Sequence, residues 1–313
     1  MSAAAVTQVS AGWAPLGAAA LLVAAGAAAA GDAALSARAE GRSWRAGIAA
    51  PWAETARLFR QRRRKTVAAD VALWRIGAAG LLVVAMLMVV VVPLGRWTIG
   101  DLPVGVVWFN AMDVLVWAVV WLSGWGANSA HALVAGYRFL SQALSYELPL
   151  MFALTAPAVG AGSLRVGDVV AAQDGLWFVV WMPVAFLAFC AAVLAFSVWG
   201  PFAAAAGVSD TGGVLAELSG VDRWLLLAGR WTLLSAGAAF ATALFLGGGD
   251  GPLLPDWLWT TAKTAALLSG FVLLRRRLPV VRPERLAEVA WVAVLPLVLL
   301  QVLLVSIVVV GRG

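Results

Sequence analysis

The sequence predicts an all-α integral membrane bundle of about eight transmembrane helices, and three observations carry that reading. Of the 313 residues, 63% are hydrophobic and 12% charged; water-soluble chains carry about twice that share of charge. The apolar residues gather into runs of about 18 to 24, the length a helix needs to cross a hydrocarbon layer of about 30 Å. Lys and Arg fall between those runs and not on a separate soluble lobe.

Spans are expected at about 12–31, 72–94, 104–124, 139–160, 176–196, 225–246, 257–274 and 289–310. Gly and Pro punctuate the connections, as in Gly160-Ala161-Gly162 and Gly247-Gly248-Gly249-Asp250-Gly251-Pro252. The first run is rich in Ala, and no Lys or Arg precedes Arg38. It lacks the basic start of a signal peptide and reads as a retained helix. Residues 1–313 thus form one polytopic membrane domain.

Charge gives the orientation. Sixteen Lys and Arg occupy the connections 32–71, 125–138, 197–224 and 275–288, against three on the opposite face. The positive-inside rule makes those four connections cytoplasmic and puts both termini on the periplasmic side of a bacterial plasma membrane. The net charge of +6 therefore reflects topology and not nucleic-acid binding. Within 32–71, Ile48, Trp52, Leu58 and Phe59 interleave with Glu54, Arg57 and Arg60, the pattern of a surface amphipathic helix. The run Arg62-Arg63-Arg64-Lys65 follows it, fixing topology or meeting anionic lipid or an acidic partner.

One cysteine, Cys190, and one histidine, His131, leave no ligand set for an iron–sulfur cluster, a haem or a zinc ion. No cofactor is expected on this chain, and any electron carriers belong to other subunits. His131 reads as a loop residue. Most of the 17 Trp residues lie near span ends, where indoles anchor at the interface.

Two carboxylates fall inside expected spans: Asp113 in the third and Glu147 in the fourth. A carboxylate in a bilayer is costly unless it is paired, hydrated or protonated, so both are functional candidates. Glu147 stands in Ser145-Tyr146-Glu147-Leu148-Pro149, where the proline loosens the helix and small polar neighbours suit proton exchange. Asn110 and Ser123 are the expected partners of Asp113. Arg138, on the helix of Glu147, is about 13 Å from it and out of pairing range.

Longer motifs resemble a known family. Asp101-Leu102-Pro103-Val104-Gly105, then Gly124-Trp125-Gly126-Ala127-Asn128, then Tyr137 to Glu147 with Arg138, Gln142 and Ser145-Tyr146-Glu147 in order, are similar to the centre of the membrane H subunit of respiratory complex I, NADH-quinone oxidoreductase. Pro51-Trp52-Ala53-Glu54 with Arg57-Leu58-Phe59 resembles the family's surface helix near the quinone opening. Gly251 to Pro255, Arg275 to Pro279 with Arg282, and Trp291 with Pro296 resemble its closing segments. The resemblance covers roughly residues 50–305.

That resemblance implies a membrane-arm subunit without its own redox centre. With the quinone-site and iron–sulfur subunits of the hydrophilic arm, it would form a chamber where quinone is the substrate. NADH, FMN and iron–sulfur clusters would sit in those partners, and other membrane-arm subunits would flank the chain in the lipid bilayer. Glu147, Glu217, Asp210 and Asp113 are the candidate proton-handling acids. Trp52, Glu54, Arg57, Arg138, Pro201 and Phe202 are the candidate chamber residues.

The third cytoplasmic connection departs from the pattern. Trp199-Gly200-Pro201-Phe202-Ala203-Ala204-Ala205-Ala206-Gly207 keeps Pro-Phe but loses the acids that usually follow, leaving Asp210 and Glu217. Arg230 stands where family members usually carry a glutamate. The chain reads as an acid-depleted member with altered proton coupling, and Asp113, outside the family pattern, is expected to compensate. The alternatives are the membrane anchor of a related membrane-bound hydrogenase and a non-catalytic scaffold of a complex I variant.

Overall fold

The computed structural model describes residues 6–207 and 213–311. Asp210 lies outside the described residues, as does Arg312. Twelve α-helices are present among the described residues: α1 Ala14–Ala39, α2 Trp44–Arg60, α3 Val71–Val89, α4 Gly105–Gly126, α5 Ala130–Ala161, α6 Val166–Ala171, α7 Phe178–Trp181, α8 Pro183–Phe196, α9 Gly220–Phe245, α10 Asp256–Arg277, α11 Pro283–Val289 and α12 Leu295–Val310. The only sheet among them is a parallel pair of two-residue strands, β1 Thr7–Gln8 and β2 Trp97–Thr98. The architecture is the expected all-α membrane bundle.

The expected count of eight spans needs correction. Among the described residues, six segments are long and apolar enough by length and composition to cross a membrane: Ala11–Ala39, Val71–Val89, Gly105–Gly126, Gly220–Phe245, Asp256–Arg277 and Pro283–Val310. The fourth expected span lies in α5, which is 32 residues long but carries Arg138, Gln142, Ser145 and Glu147. Those side chains lower its hydropathy while its buried face packs on α4, α8 and α12. The fifth is broken at Met182, where φ and ψ leave the helical region ahead of Pro183, so α8 is only 14 residues. The last segment is continuous through a five-residue π-helical turn, Ala290–Val294, just ahead of Pro296.

Several boundaries also move. The first helix runs on to Ala39, so the first connection begins near 40 and not 32. The second connection shrinks to residues 127–129, and His131 is in the first turn of α5 and not in a loop. The amphipathic helix is present as α2, with Trp44, Ile48, Trp52 and Phe59 exposed along it.

Helix α9 is the axis of the bundle, buried over most of its length and packed on α3, α8 and α10. Close approach depends on missing side chains. A Cβ on Gly229 would strike Leu81 and Leu82 of α3, and one on Gly77 of α3 would strike Val119 and Ser123 of α4. In contrast, α12 exposes Leu297, Leu300, Leu303, Leu304 and Ile307, the surface a hydrocarbon solvent covers.

The connections gather on two faces. On one, Gly95 N donates to Thr260 Oγ1 at 3.0 Å, Trp177 Nε1 to Asp250 Oδ2 at 2.9 Å, and Arg165 pairs with Asp101 at 2.9 Å. Asp101 holds the Arg165 proton more firmly than an isolated guanidinium would. On the other, Arg275 and Arg276 clasp Asp32 at 2.6 and 2.7 Å, and Val281 N donates to Pro201 O at 2.7 Å. The basic segment 61–70 lies on this second face, ending at Asp70, whose Oδ1 caps α3 through Ala72 N and Leu73 N.

Candidate functional site

Helices α4 and α5 bring Asp113 and Glu147 together inside the bundle, a pairing that neither residue's local sequence reveals. Asp113 is fully buried. Its Oδ1 accepts from the Tyr146 hydroxyl at 3.3 Å, and Asn110 Nδ2 donates to Glu147 Oε1 at 3.1 Å. Asn110 stands one turn before Asp113 on α4 and Tyr146 stands next to Glu147 on α5, so these two cross-helix bonds set the carboxyl groups side by side. Asn110 thus serves Glu147 and not Asp113, and Ser123 is not a partner either, since its hydroxyl donates to Val119 O at 3.1 Å.

Asp113 Oδ2 and Glu147 Oε2 are buried without a donor among the described residues, and Trp117 Nε1, one turn after Asp113 on α4, is buried without an acceptor among them. A proton on either carboxyl supplies the missing donor between them. Two neighbouring carboxyls that share a proton can pass it back and forth, while Tyr146 and Asn110 hold them with neutral groups. The side-chain bonds that reach the two acids come from Tyr146 and Asn110, both neutral donors.

The same helix carries a polar line toward the basic face. Arg138, Gln142 and Ser145 follow at i, i+4 and i+7, one helical stripe. Gln142, almost fully buried, donates from Nε2 to Ala195 O at 2.8 Å and ties α5 to the end of α8.

The start of α5 frames a second feature, a cavity of about 410 Å³ at the basic face. Its lining includes Arg57, Arg64, Lys65, Glu217, Ser219 and Arg223. Three contacts build it: Arg64 N donates to Ser219 Oγ at 2.7 Å, Gly220 N to Gln61 Oε1 at 3.2 Å, and Ser129 Oγ to Glu217 Oε1 at 2.8 Å. Arg57 is gripped by Glu54 through bonds of 2.7 and 2.5 Å, which hold the Glu54 carboxyl below its usual range. Measured along α5, the cavity and the acid pair are about 27 Å apart.

Of the candidate chamber residues, only Arg57 lines this cavity. Glu54 reaches it through Arg57, and Trp52 lies against Gly26 of α1, mostly exposed. Pro201 and Phe202 sit in a short 3₁₀ turn, Gly200–Phe202, packed on α8 and α10. Arg138 lies two turns into α5.

A smaller cavity of about 180 Å³ shares Ala216 and Arg223 with the first and ends at Arg230. Arg230 is buried, and its guanidinium donates to Ser197 O at 3.4 Å and to Val198 O, the carbonyls at the end of α8. It stacks over Trp199 at 5.6 Å, with Arg275 over the same ring at 4.5 Å. A cation at a helix C-terminus meets the negative end of the helix dipole, so Arg230 needs no carboxylate. Among the described residues, no three His, Cys, Asp or Glu gather to hold a metal.

A family model described as NADH dehydrogenase matches residues 19–306. Relatives include an NADH-quinone oxidoreductase H subunit of Geobacter sulfurreducens, the second of its kind there, 34% identical over 82% of each chain. The second H subunit of Cereibacter sphaeroides is 37% identical over 83% of each, and the H subunit of Carboxydothermus hydrogenoformans is 31% identical over 70% of this chain and 64% of its own. With a match across nearly the whole bundle, acid pair and basic face included, the chain belongs to the NADH dehydrogenase family of membrane subunits.

Proposed function

We propose that this chain is the membrane-arm subunit of a proton-translocating NADH-quinone oxidoreductase, and that Asp113 and Glu147 together hold the proton it moves. The observation that carries the reading is the pair itself: two carboxyls from neighbouring helices, set side by side through bonds from Asn110 and Tyr146, both neutral donors. Such a pair costs stability in a bilayer and is retained where its protons are used. The three relatives carry the name of a quinone oxidoreductase subunit, which favours this reading over a hydrogenase anchor.

In this reading the basic face receives the hydrophilic arm. The start of α5, the segment 197–219 and α2 supply the membrane side of the quinone chamber, with Arg57, Arg138, Trp52, Glu54, Pro201 and Phe202 as its frame. NADH, FMN and the iron–sulfur clusters reside in the partner subunits, and the complex sits in a bacterial plasma membrane with the chain's termini periplasmic. Quinone reduction at the chamber changes the local charge, and the polar line Arg138–Gln142–Ser145 relays that change to the pair. Glu217 is the remaining acid at the chamber side, and Asp210 belongs to the same connection.

The test is quinone reduction and proton translocation by the assembled complex in membrane vesicles, for the natural protein and Glu147→Gln. Reduction that persists while proton movement falls about tenfold or more supports the coupling role. Unchanged translocation in a fully assembled variant removes it and leaves a scaffold.

A further inference from the structure

We infer that the cavity between the end of α2 and the start of α9 binds a phosphate-bearing anion, either an acidic phospholipid headgroup or free phosphate. The inference is independent of the acid pair but rests on the chamber reading for its place, since Arg57 and the 216–219 wall are shared with the proposed quinone chamber and the anion would sit at that chamber's membrane edge. Four cations, Arg57, Arg64, Lys65 and Arg223, face one carboxylate, Glu217, among the described lining residues. Glu217 is already engaged by Ser129, and Arg57 by Glu54. Arg64 and Lys65 make no ion pair among the described residues.

Arg223 supplies a second observation. One of its terminal nitrogens donates to Leu215 O at 3.2 Å, but its Nε is buried without an acceptor among the described residues. A buried guanidinium N–H lacking an acceptor is costly, and a phosphate oxygen would satisfy it in the forked geometry that Arg favours. The cavity also meets Ser219, the residue before α9, at the positive end of a 26-residue helix dipole. Its volume of about 410 Å³ is that of a small-ligand site.

The placement favours a headgroup. Trp44, Ile48, Trp52 and Phe59 are exposed along α2, which sets that helix at the membrane surface. Arg57 and Gln61, at its end, are then at the depth of lipid phosphates. The backbone contacts of Arg64 N to Ser219 and of Gly220 N to Gln61 hold the cavity wall without using the Arg64 or Lys65 charges. Those two side chains can therefore be replaced without opening the fold.

The experiment uses the purified complex, stripped of lipid by detergent and placed in phosphatidylcholine nanodiscs with trace labelled phosphatidylglycerol. The natural complex is expected to retain the labelled lipid over phosphatidylcholine, and Arg64→Gln/Lys65→Gln to lose retention by about 25-fold, about fivefold per cation. Arg64→Lys should retain it, with subunit content confirming assembly in each case. Displacement by inorganic phosphate with the same dependence on Arg64 and Lys65 identifies free phosphate as a source; retention at saturating phosphate identifies the lipid. Equal retention by the natural and doubly substituted complexes overturns the inference. Capture of a protein neighbour at position 64 by a photocrosslinker, with no labelled lipid bound, overturns it as well.

Discussion

The acid pair and the basic face treat ionisable groups in opposite ways. Inside the bundle, Asp113 and Glu147 are held by Tyr146 and Asn110, neutral groups that leave the carboxyls free to exchange a proton. At the basic face, three cations are fixed by carbonyls, aromatic rings or carboxylates: Arg230 by the end of α8 and by Trp199, Arg276 by Asp32, Arg57 by Glu54. A guanidinium stays charged over the whole physiological range, so the basic face offers constant charge. The acid pair offers variable charge. The difference separates a surface built to bind from a site built to transfer.

Breaking the variable side should have the largest effect. Asp113→Asn is expected to lower proton translocation about tenfold or more in vesicles while quinone reduction continues. Tyr146→Phe, which removes only a neutral donor, should slow translocation by a smaller factor in the same assay. Equal losses in the two variants would mean that hydroxyl geometry, and not the second acid, limits transfer.

Breaking the constant side should cost stability instead. Arg230→Met strips Ser197 O and Val198 O of their donor and should lower unfolding free energy by about 2–4 kcal/mol, read as a lower melting temperature of the assembled complex. Arg230→Lys should recover part of it. Gly77→Ala, which drives a methyl group into α4 at Val119 and Ser123, should cost about 1–3 kcal/mol and disturb the helix that carries Asp113. Its translocation should fall together with its melting temperature, unlike that of Asp113→Asn.

The smallest effect belongs to the exposed Glu54–Arg57 pair. The carboxyl of Glu54 titrates below its usual value because Arg57 bonds to it, so the pair's contribution is present above about pH 4.5 and lost as pH falls through the lower folded value. Glu54→Gln should move the melting temperature slightly at neutral pH and not at all well below pH 4, as a pH series of thermal melts would record. Solvent exposure of both side chains keeps the effect small.

Much of this contrast is legible in the sequence, but not its geometry. Long apolar runs give six of the helices directly, since a bilayer rewards unbroken hydropathy. They place the fourth span inside α5 but miss the helix's polar start, and they run unbroken through the α7–α8 segment, where backbone at Met182 departs from helix before Pro183. The strand pair β1–β2 gives no signal at two residues each. Asp113 and Glu147 stand out singly as carboxylates in apolar runs, yet their meeting depends on the register of α4 against α5, which no local pattern carries. For the same reason Asn110 looks like a partner for Asp113, three residues on, and turns out to serve Glu147. Arg62 to Lys65 reads as a topology signal; that it folds onto Ser219 and Arg223 is a tertiary contact.

The central claim is that Asp113 and Glu147 act as one proton-holding unit, and a double-mutant cycle on proton translocation tests it most directly. Groups that act as a unit are strongly non-additive. Asp113→Asn, Glu147→Gln and the double variant should all translocate at about the same reduced rate, with quinone reduction and assembly intact. Losses that multiply in the double variant would show two independent sites and contradict the account.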